Sequence, residues 1–171
     1  LMLALPGGAY LYQGEELGLP EAVDIPDDKR QDPTFFRTNG ESYGRDGCRV
    51  PVPWEADKVA YGFGTNADTW LPQPAVYREY SRDLQRNVPG STLELYKLAL
   101  SLRAQHQLGT GDFEWIAGVP ESVIAFRNGR ISVYCNYGTD EFTLPAGNII
   151  LDSGDASNGV LVPASTVWIA S

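Results

Sequence analysis

The sequence is poor in the residues that build metal centres and disulfide frameworks. Its 171 residues include one histidine, His106, and two cysteines, Cys48 and Cys135. One histidine excludes a typical histidine-rich zinc site, and two cysteines argue against a small secreted module held by several disulfides. Cys135 alternates in phase with Ile131 and Val133, so we expect it to be a buried apolar residue that forms no disulfide with Cys48. We therefore expect a cytoplasmic protein whose chemistry rests on oxygen groups or lies elsewhere.

Basic residues are also scarce. Thirteen Lys and Arg oppose 22 Asp and Glu, which leaves a net charge of -9. That sign excludes non-specific binding to nucleic acid and predicts no membrane-surface partner. Residues 1–5 are apolar, but a signal peptide needs an apolar run of roughly 7–15 residues. Because no start methionine precedes this short run, we expect the chain to be a piece of a longer one.

The first two thirds of the chain predict few regular elements. Residues 9–13 are aromatic and bounded by glycines, which predicts a short buried strand, and residues 1–5 would end a preceding helix. No helical or alternating period lasts through residues 18–74, so we expect a long irregular segment there. The capping-box sequence from Ser91 to Glu94 and the apolar spacing after it predict a helix over residues 92–107.

After Gly109 the pattern changes to short runs rich in Val, Ile, Phe and Tyr. Two of them, residues 122–127 and 130–137, flank Asn128-Gly129, which predicts a hairpin with a type I′ turn. Further strands are predicted at residues 112–117, 141–144, 148–152 and 160–170. Their spacing is typical of an antiparallel β-sandwich, so we expect two domains, residues 1–109 and 110–171.

Glu15 and Glu16 are the obvious pair of carboxylates, and glycoside hydrolysis uses two carboxylates at one site. In an extended chain, neighbouring side chains point to opposite faces, so these two cannot flank one scissile bond. Either one of them faces a substrate, or both are charge partners within a crowded loop.

Residues 44–54, named segment 44–54 here, combine two arginines with turn glycines and end in a Pro-flanked tryptophan. Fixed guanidinium groups are suited to binding hydroxyls and carboxylates. The alternative is that Arg45 or Arg49 pairs with Asp46 or another acid and only holds the loop in place.

Several other residues have two interpretations. Sugar rings stack on aromatic side chains, but for most of the large aromatics here we expect a core role. His106 lies near a helix end, where a structural role is expected. The acids in the loop lack the spacing of a calcium-binding EF-hand and predict solvated charge. The aromatics in question are Phe35, Phe36, Trp54 and Trp70, and the acids are Asp24, Asp27 and Asp28.

Two long motifs carry a family resemblance. The run Leu-Pro-Gly-Gly-Ala-Tyr-Leu-Tyr-Gln-Gly-Glu-Glu-Leu-Gly-Leu begins at Leu5, and Gly-Arg-Asp-Gly-Cys-Arg-Val-Pro-Val-Pro-Trp begins at Gly44. Both resemble the α-amylase family of glycoside hydrolases, in its α-glucosidase and oligo-1,6-glucosidase branch. Sequences after Trp70 and after Ser91 are similar to the same branch. The resemblance spans essentially the whole chain and covers the C-terminal third of the family's enzymes.

The resemblance implies an α/β plus all-β fold. Residues 9–13 would be the eighth strand of an incomplete (β/α)₈ barrel, followed by its active-site loop, its last helix and an antiparallel β-sandwich. The family's three catalytic acids lie upstream, so the resemblance implies that no catalytic residue lies in this chain and that the chain alone is inactive. It implies no cofactor and no metal site in this chain, and retaining hydrolysis of α-glucosidic bonds by the parent enzyme.

The resemblance also implies binding residues and partners. Arg45 matches an arginine on the aglycone side of the family's cleft, and Glu15 and Glu16 match the same rim, so these three are the expected substrate-binding residues. Val50 and Val52 depart from the commoner Thr and Met. The implied partners are an α-glucoside oligosaccharide and the remainder of the barrel. The alternatives are a transglycosylating sibling of the trehalose synthase or isomaltulose synthase type, and a non-catalytic carbohydrate-binding or transporter-associated relative.

Overall fold

The computed structural model describes residues 1–170, and the chain divides into two compact units. One unit is Leu11–Glu94, and the other combines Leu1–Tyr10 with Leu95–Ser171. The predicted domains, residues 1–109 and 110–171, were divided where the residue pattern changes after Gly109, whereas these two units are divided by their internal contacts. The two domains stay a prediction.

The helices are short except for one. Helix α1 spans Pro33–Arg37, α2 spans Arg82–Gln85, and α3 spans Thr92–Gln105. Short 3₁₀ turns lie at Met2–Ala4, Glu15–Leu17, Asp27–Lys29, Asp46–Cys48, Val59–Gly62, Ala75–Tyr80 and Leu108–Thr110. The long irregular segment is thus confirmed, and so is the long helix. Within residues 1–170, no helix has both the length and the apolar character that crossing a bilayer requires.

The serine half of the predicted capping box of α3 is present, whereas the Ser91 N–H donates to the Val88 carbonyl rather than to Glu94. Ser91 Oγ accepts the Glu94 N–H at 3.3 Å, and Glu94 Oε1 accepts the Asn87 N–H at 2.9 Å. The helix ends before Gln107, whose φ of +52° lies in the left-handed region. The loss of helical backbone there, rather than at the glycines that follow, sets the end of the helix.

Within residues 1–170, seven strands form two antiparallel sheets. The strands are β1 Phe113–Trp115, β2 Val123–Asn128, β3 Ile131–Asn136, β4 Phe142–Thr143, β5 Asn148–Asp152, β6 Val160–Leu161 and β7 Ser165–Ala170. One sheet has the order β1-β2-β3-β7-β5, and the other pairs β4 with β6. The single strand predicted at 160–170 is two strands, because Pro163 lacks an N–H and Ala164 has a φ of +56°.

The two faces of the five-stranded sheet bury different side chains. A row formed by Phe126, Val133 and Trp168 packs in a cluster with Ala99 and Leu102 of α3. The next row along the strands lies in a second cluster, which includes Leu144 and Leu161 beside the small sheet. Alternation along β2, β3 and β7 thus buries side chains on both faces of the sheet, as period-two patterning requires.

The predicted hairpin is confirmed, but its turn differs. Asn128 pairs with Ile131, so the loop consists of Gly129 and Arg130, with φ +58° at Gly129. Glycine at the first loop position is typical of a type II′ rather than a type I′ turn. Asn128 instead buries its side chain and donates to the carbonyls of Ala4 and Leu108 at 2.8 and 2.9 Å.

The predicted buried strand at residues 9–13 is wrong for this chain. These residues form no ladder with any part of the structure described, and Tyr10 is 87% exposed. A strand exists only where a neighbouring strand takes up its backbone N–H and C=O groups. The preceding residues form the 3₁₀ turn Met2–Ala4 rather than the end of an α-helix.

Candidate functional site

Two buried aspartates hold segment 44–54 in the unit Leu11–Glu94. Asp46 is fully buried, and its Oδ2 accepts the backbone N–H groups of Gln31 and Asp32 at 2.8 and 2.9 Å. Its Oδ1 is also buried and has no hydrogen-bond partner among the described residues. Asp46 therefore ties segment 44–54 to the chain just before α1 and does not pair with either arginine.

Asp32 makes the reciprocal connection. Its Oδ1 accepts the Thr34 N–H at 2.8 Å as the N-cap of α1, and its Oδ2 accepts the Arg45 N–H at 3.0 Å. Arg49 Nη1 also donates to Oδ2, at 3.0 Å. Hydrogen bonds from the backbone N–H groups of Thr34 and Arg45, and the charge of Arg49, lower the pKa of Asp32 to about 2. The carboxylate is therefore ionised across the whole neutral range.

The glycines of segment 44–54 are required by close packing. Gly44 has a φ of +69°, and a Cβ there would lie 2.5 Å from Cγ of Asp32. A Cβ on Gly47 would lie 2.7 Å from Cγ of Glu21 and 2.8 Å from the carbonyl oxygen of Ala22. Only a residue without a side chain allows the backbone to approach these groups so closely.

The two arginines have different surroundings. Arg49 is half-buried and forms an ion pair with Asp32, so it holds the loop in place. Arg45 is exposed, and no carboxylate of the described residues pairs with its guanidinium. Its backbone is fixed while its side chain is accessible, which is the arrangement of a residue that can bind a ligand.

Glu15 and Glu16 lie in a 3₁₀ turn, so the premise of an extended chain is wrong for them. Glu16 Oε2 accepts the Gly14 N–H at 3.0 Å, which is a local structural role. Glu15 is exposed and lines a cavity of about 300 Å³ together with Tyr12, Cys48 and Tyr77.

Tyr77 is a buried residue that lines this cavity. Its hydroxyl donates to the Pro20 carbonyl at 3.0 Å. Burial, with a smaller effect of Cys48 and Glu21, raises the pKa of Tyr77 above its ordinary value of 10.0. The cavity thus combines a neutral phenol with the exposed Glu15 carboxylate.

Arg30 is a structural residue that the sequence reasoning missed. Its guanidinium is buried, donates to Asp27 Oδ1 and to the Val23 carbonyl at 3.3 Å each, and lies 4.0 Å from the ring centre of Tyr43. It also lies 5.4 Å from the ring centre of Phe35. Only its position between an acidic and an aromatic stretch could have indicated this contact.

The large aromatic side chains are mostly not core residues, which corrects the sequence interpretation. Trp54, Trp70 and Phe36 are exposed, and Phe35 is half-buried and stacks on Tyr43 at 6.0 Å between ring centres. The short turns of this unit provide no sheet or long helix that could cover them.

The remaining candidates are the two cysteines and the histidine. Cys48 is an exposed free thiol, Cys135 is a half-buried free thiol, and His106 is half-buried with its N–H bonded to the Leu102 carbonyl. Across residues 1–170, no group of three or more His, Cys, Asp or Glu side chains is placed to hold a metal ion.

Comparison with known proteins identifies the family. Residues 1–111 match the sequence profile described as "Alpha amylase, catalytic domain". A probable α-glucosidase of Rhizobium meliloti (strain 1021) is 31% identical over 144 residues, which is 82% of this chain and 25% of that protein. Maltase A1 of Drosophila melanogaster is 31% identical over 152 residues, 84% of this chain and 26% of that protein. The chain belongs to the α-amylase family of glycoside hydrolases.

A solved structure shows the same fold. The α-glucosyl transfer enzyme XgtA superimposes with a TM-score of 0.80 at 29% identity, over 99% of this chain and 34% of that one. The chain thus has the fold of one part of an α-amylase-family enzyme, with antiparallel sheets after its long helix. It spans about a quarter of the length of the two curated relatives.

Proposed function

We propose that this chain is the C-terminal part of a retaining α-glucosidase that hydrolyses terminal α-glucosidic bonds of short oligosaccharides. Within this proposal, residues 1–109 belong to an incomplete (β/α)₈ barrel, and residues 110–171 are a β-sandwich. The catalytic acids lie in the part of the enzyme that precedes this chain. The two free thiols support a cytoplasmic location.

The observation that carries the proposal is the exposed Arg45 on a rigid backbone. Its N–H is fixed by Asp32, its neighbour Asp46 is buried, and its guanidinium is accessible. A guanidinium presents a planar fork of donors and can donate several hydrogen bonds to sugar hydroxyls. Glu15 lines the nearby cavity and can accept a hydrogen bond from a sugar hydroxyl there. Glu16 instead stabilises its own turn by accepting the Gly14 N–H.

Exposed aromatic side chains support the proposal that the remainder of the barrel is a partner of this chain. Tyr10 is 87% exposed and Tyr12 is 49% exposed, and neither residue lies in a strand. Apolar rings of this size are costly to leave in water, so strands of the same protein are the natural cover.

One alternative is a transglycosylating enzyme, which the similarity to an α-glucosyl transfer enzyme favours. Both reactions begin with a covalent glycosyl-enzyme intermediate and differ only in whether water or a sugar hydroxyl accepts the glycosyl group. Product analysis on maltose, sucrose and isomaltose separates them, because hydrolysis yields monosaccharides and transfer yields new glycosides.

The experiment that tests the proposal is an assay of the 171-residue chain and of the complete protein on p-nitrophenyl α-glucoside. We expect turnover by the complete protein and none by the chain alone. Turnover by the purified chain would show that its own residues suffice for catalysis. An inactive complete protein that binds maltose would favour the non-catalytic, carbohydrate-binding alternative.

A further inference from the structure

Trp54 is an exposed residue in a buried stretch. Its side chain is 44% exposed, while Pro51, Val52 and Pro53 before it and Ala56 after it are buried. Proline fixes its own φ, so the backbone on the N-terminal side of the tryptophan has little freedom.

Hydrogen bonds fix the backbone of Trp54 on both sides. Its N–H donates to the Tyr61 carbonyl at 2.7 Å, and its own carbonyl accepts the Asp83 N–H at 3.1 Å. The Pro53 carbonyl accepts the Arg82 N–H at 3.1 Å, and the Ala56 N–H donates to Asp83 Oδ1 at 3.1 Å. The indole is therefore held on a rigid support although it packs in no core cluster.

One part of this support has an unfavourable backbone conformation. Ala60, Tyr61 and Gly62 follow each other with φ of 48°, 47° and 76°. Two consecutive residues with a Cβ in the left-handed region are strained, and strain of this kind is concentrated at functional sites. The turn aims the Tyr61 carbonyl at two donors, the N–H groups of Trp54 and of Glu55 at 2.9 Å.

Two other exposed aromatics of the same unit, Trp70 and Phe36, do not share this support. Trp70 is 61% exposed, and the hydrogen bond from Thr69 Oγ1 to the Leu71 carbonyl joins the two residues that flank it rather than Trp70 itself. Phe36 lies on the short helix α1 and contacts Phe35 edge to face at 5.5 Å. Among Trp54, Trp70 and Phe36, only Trp54 combines an exposed ring, a backbone with both its N–H and its carbonyl bonded, and a bond to a strained turn.

We propose that Trp54 is a specificity-determining residue that stacks on a glucose unit beyond the disaccharide and favours longer oligosaccharides. This inference rests on the proposed function. Segment 44–54 carries both Arg45 and Trp54, and the apolar face of a pyranose matches a flat indole. A residue whose backbone is already fixed loses less conformational freedom on binding than one on a mobile loop.

The test compares maltose with maltotriose in the complete protein. Trp54→Ala should lower kcat/KM for maltotriose about five- to tenfold more than for maltose, mainly through KM, because only the trisaccharide has the additional ring. Trp54→Phe should restore most of the difference, since a smaller aromatic face remains. Trp70→Ala is the matched control, and it should leave the ratio of the two kcat/KM values unchanged.

A second variant addresses the strained turn. Ala60→Gly removes the steric cost of the left-handed conformation, so the melting temperature should stay constant or rise. The turn should also become less rigid, so the preference for maltotriose should fall, by less than in Trp54→Ala.

The possible failures are distinguishable. If the complete protein hydrolyses neither sugar, the proposed function itself is wrong. If it hydrolyses both, and Trp54→Ala changes the two kcat/KM values equally or lowers only the melting temperature, Trp54 is a structural residue and this inference is wrong.

Discussion

At the scale of single residues, two carboxylates determine how segment 44–54 is held. Asp46 binds two backbone N–H groups from the chain before α1, and Asp32 binds the backbone and the guanidinium of segment 44–54 in return. Buried polar groups stabilise a unique conformation only when their partners are present, so each connection depends on the other. Arg45 lies between them and keeps its side chain accessible.

Asp32 should make the stability of the chain depend on acid pH. Its pKa is about 2 in the folded protein against an ordinary 3.8, so its contribution is complete above about pH 4 and is lost as the pH falls through about 2. Asp32→Asn should lower the melting temperature at pH 7, and the difference from wild type should disappear near pH 2. Thermal melts from pH 7 to pH 2 measure this, and a constant difference would contradict it.

Gly44 should tolerate no side chain. Gly44→Ala places a Cβ 2.5 Å from Cγ of Asp32 at a φ of +69°. We expect a loss of about 2 kcal/mol or more in the free energy of unfolding, as for other strained backbone positions. Gly64→Ala is the control, because a Cβ there meets nothing within 4 Å and its φ is not in the left-handed region. Urea unfolding of both variants measures the difference, and equal effects would exclude the packing argument.

Arg45 and Arg49 should separate binding from folding. A charged donor to a neutral sugar hydroxyl is worth about 1.5–3 kcal/mol, so Arg45→Ala should lower kcat/KM of the complete protein for disaccharides roughly ten- to a hundredfold. Arg49→Ala removes the ion pair with Asp32 and should lower the melting temperature by a few degrees. If Arg45→Ala affects only the melting temperature, Arg45 has the same loop-holding role as Arg49.

At the scale of elements, the sequence predicted whatever depends on local interactions. Helix α3 and its Ser91 cap follow from side chains within one turn, and strands β2 and β3 follow from alternation across a glycine turn. The strand expected at residues 9–13 depends on pairing with distant chain segments, which no local pattern specifies. The turn type was missed because Asn128 bonds to Ala4 and Leu108, residues remote in sequence.

The candidate site was predictable to a similar extent. Turn glycines were expected in segment 44–54, and Gly44, with a φ of +69°, is one; the close packing of the backbone at Gly44 and Gly47 was not predicted. The division of roles between Arg45 and Arg49 depends on Asp32, 13 and 17 residues away along an irregular chain. Contacts across an irregular segment follow no regular residue spacing, so the sequence could not show that Asp32 pairs with Arg49.

Arg103 on α3 should control the order of the first residues. It donates to the carbonyls of Leu3, Leu5 and Gly7, the first two at 2.7 and 2.6 Å. Arg103→Met keeps the aliphatic stem but removes the donors. Amides of residues 4–9 should then exchange with solvent faster, by about tenfold or more, while those of β3 stay unchanged.

Arg103→Lys is the matched variant for this prediction. Lysine keeps the charge and can bond fewer carbonyls at once, because its ammonium lacks the planar fork of the guanidinium. Its exchange rates should therefore lie between those of wild type and Arg103→Met. Equal acceleration in β3 would mean that the whole unit is destabilised rather than its first residues.

At the scale of the whole molecule, the two units are built differently. In Leu11–Glu94, elements other than the start of α3 have six residues or fewer, and the carboxylates of Asp32, Asp46 and Asp83 connect much of the backbone. The other unit has a five-stranded sheet with buried side chains on both faces. Apolar burial of the second kind is cooperative over many residues, whereas isolated loop bonds open one at a time.

This contrast predicts uneven protection from hydrogen exchange in the 171-residue chain. Amides of β2, β3 and β7 should be the most protected, because each bonds within a continuous ladder over a closed core. Amides of residues 10–13 should be among the least protected, because Tyr10 and Tyr12 are exposed and form no ladder. We expect rates that differ by at least about a hundredfold, the consequence of opening locally rather than by global unfolding. Equal protection of residues 10–13 and of β2 would show that residues 9–13 form a strand after all. It would also show that the division into units of unequal stability is wrong.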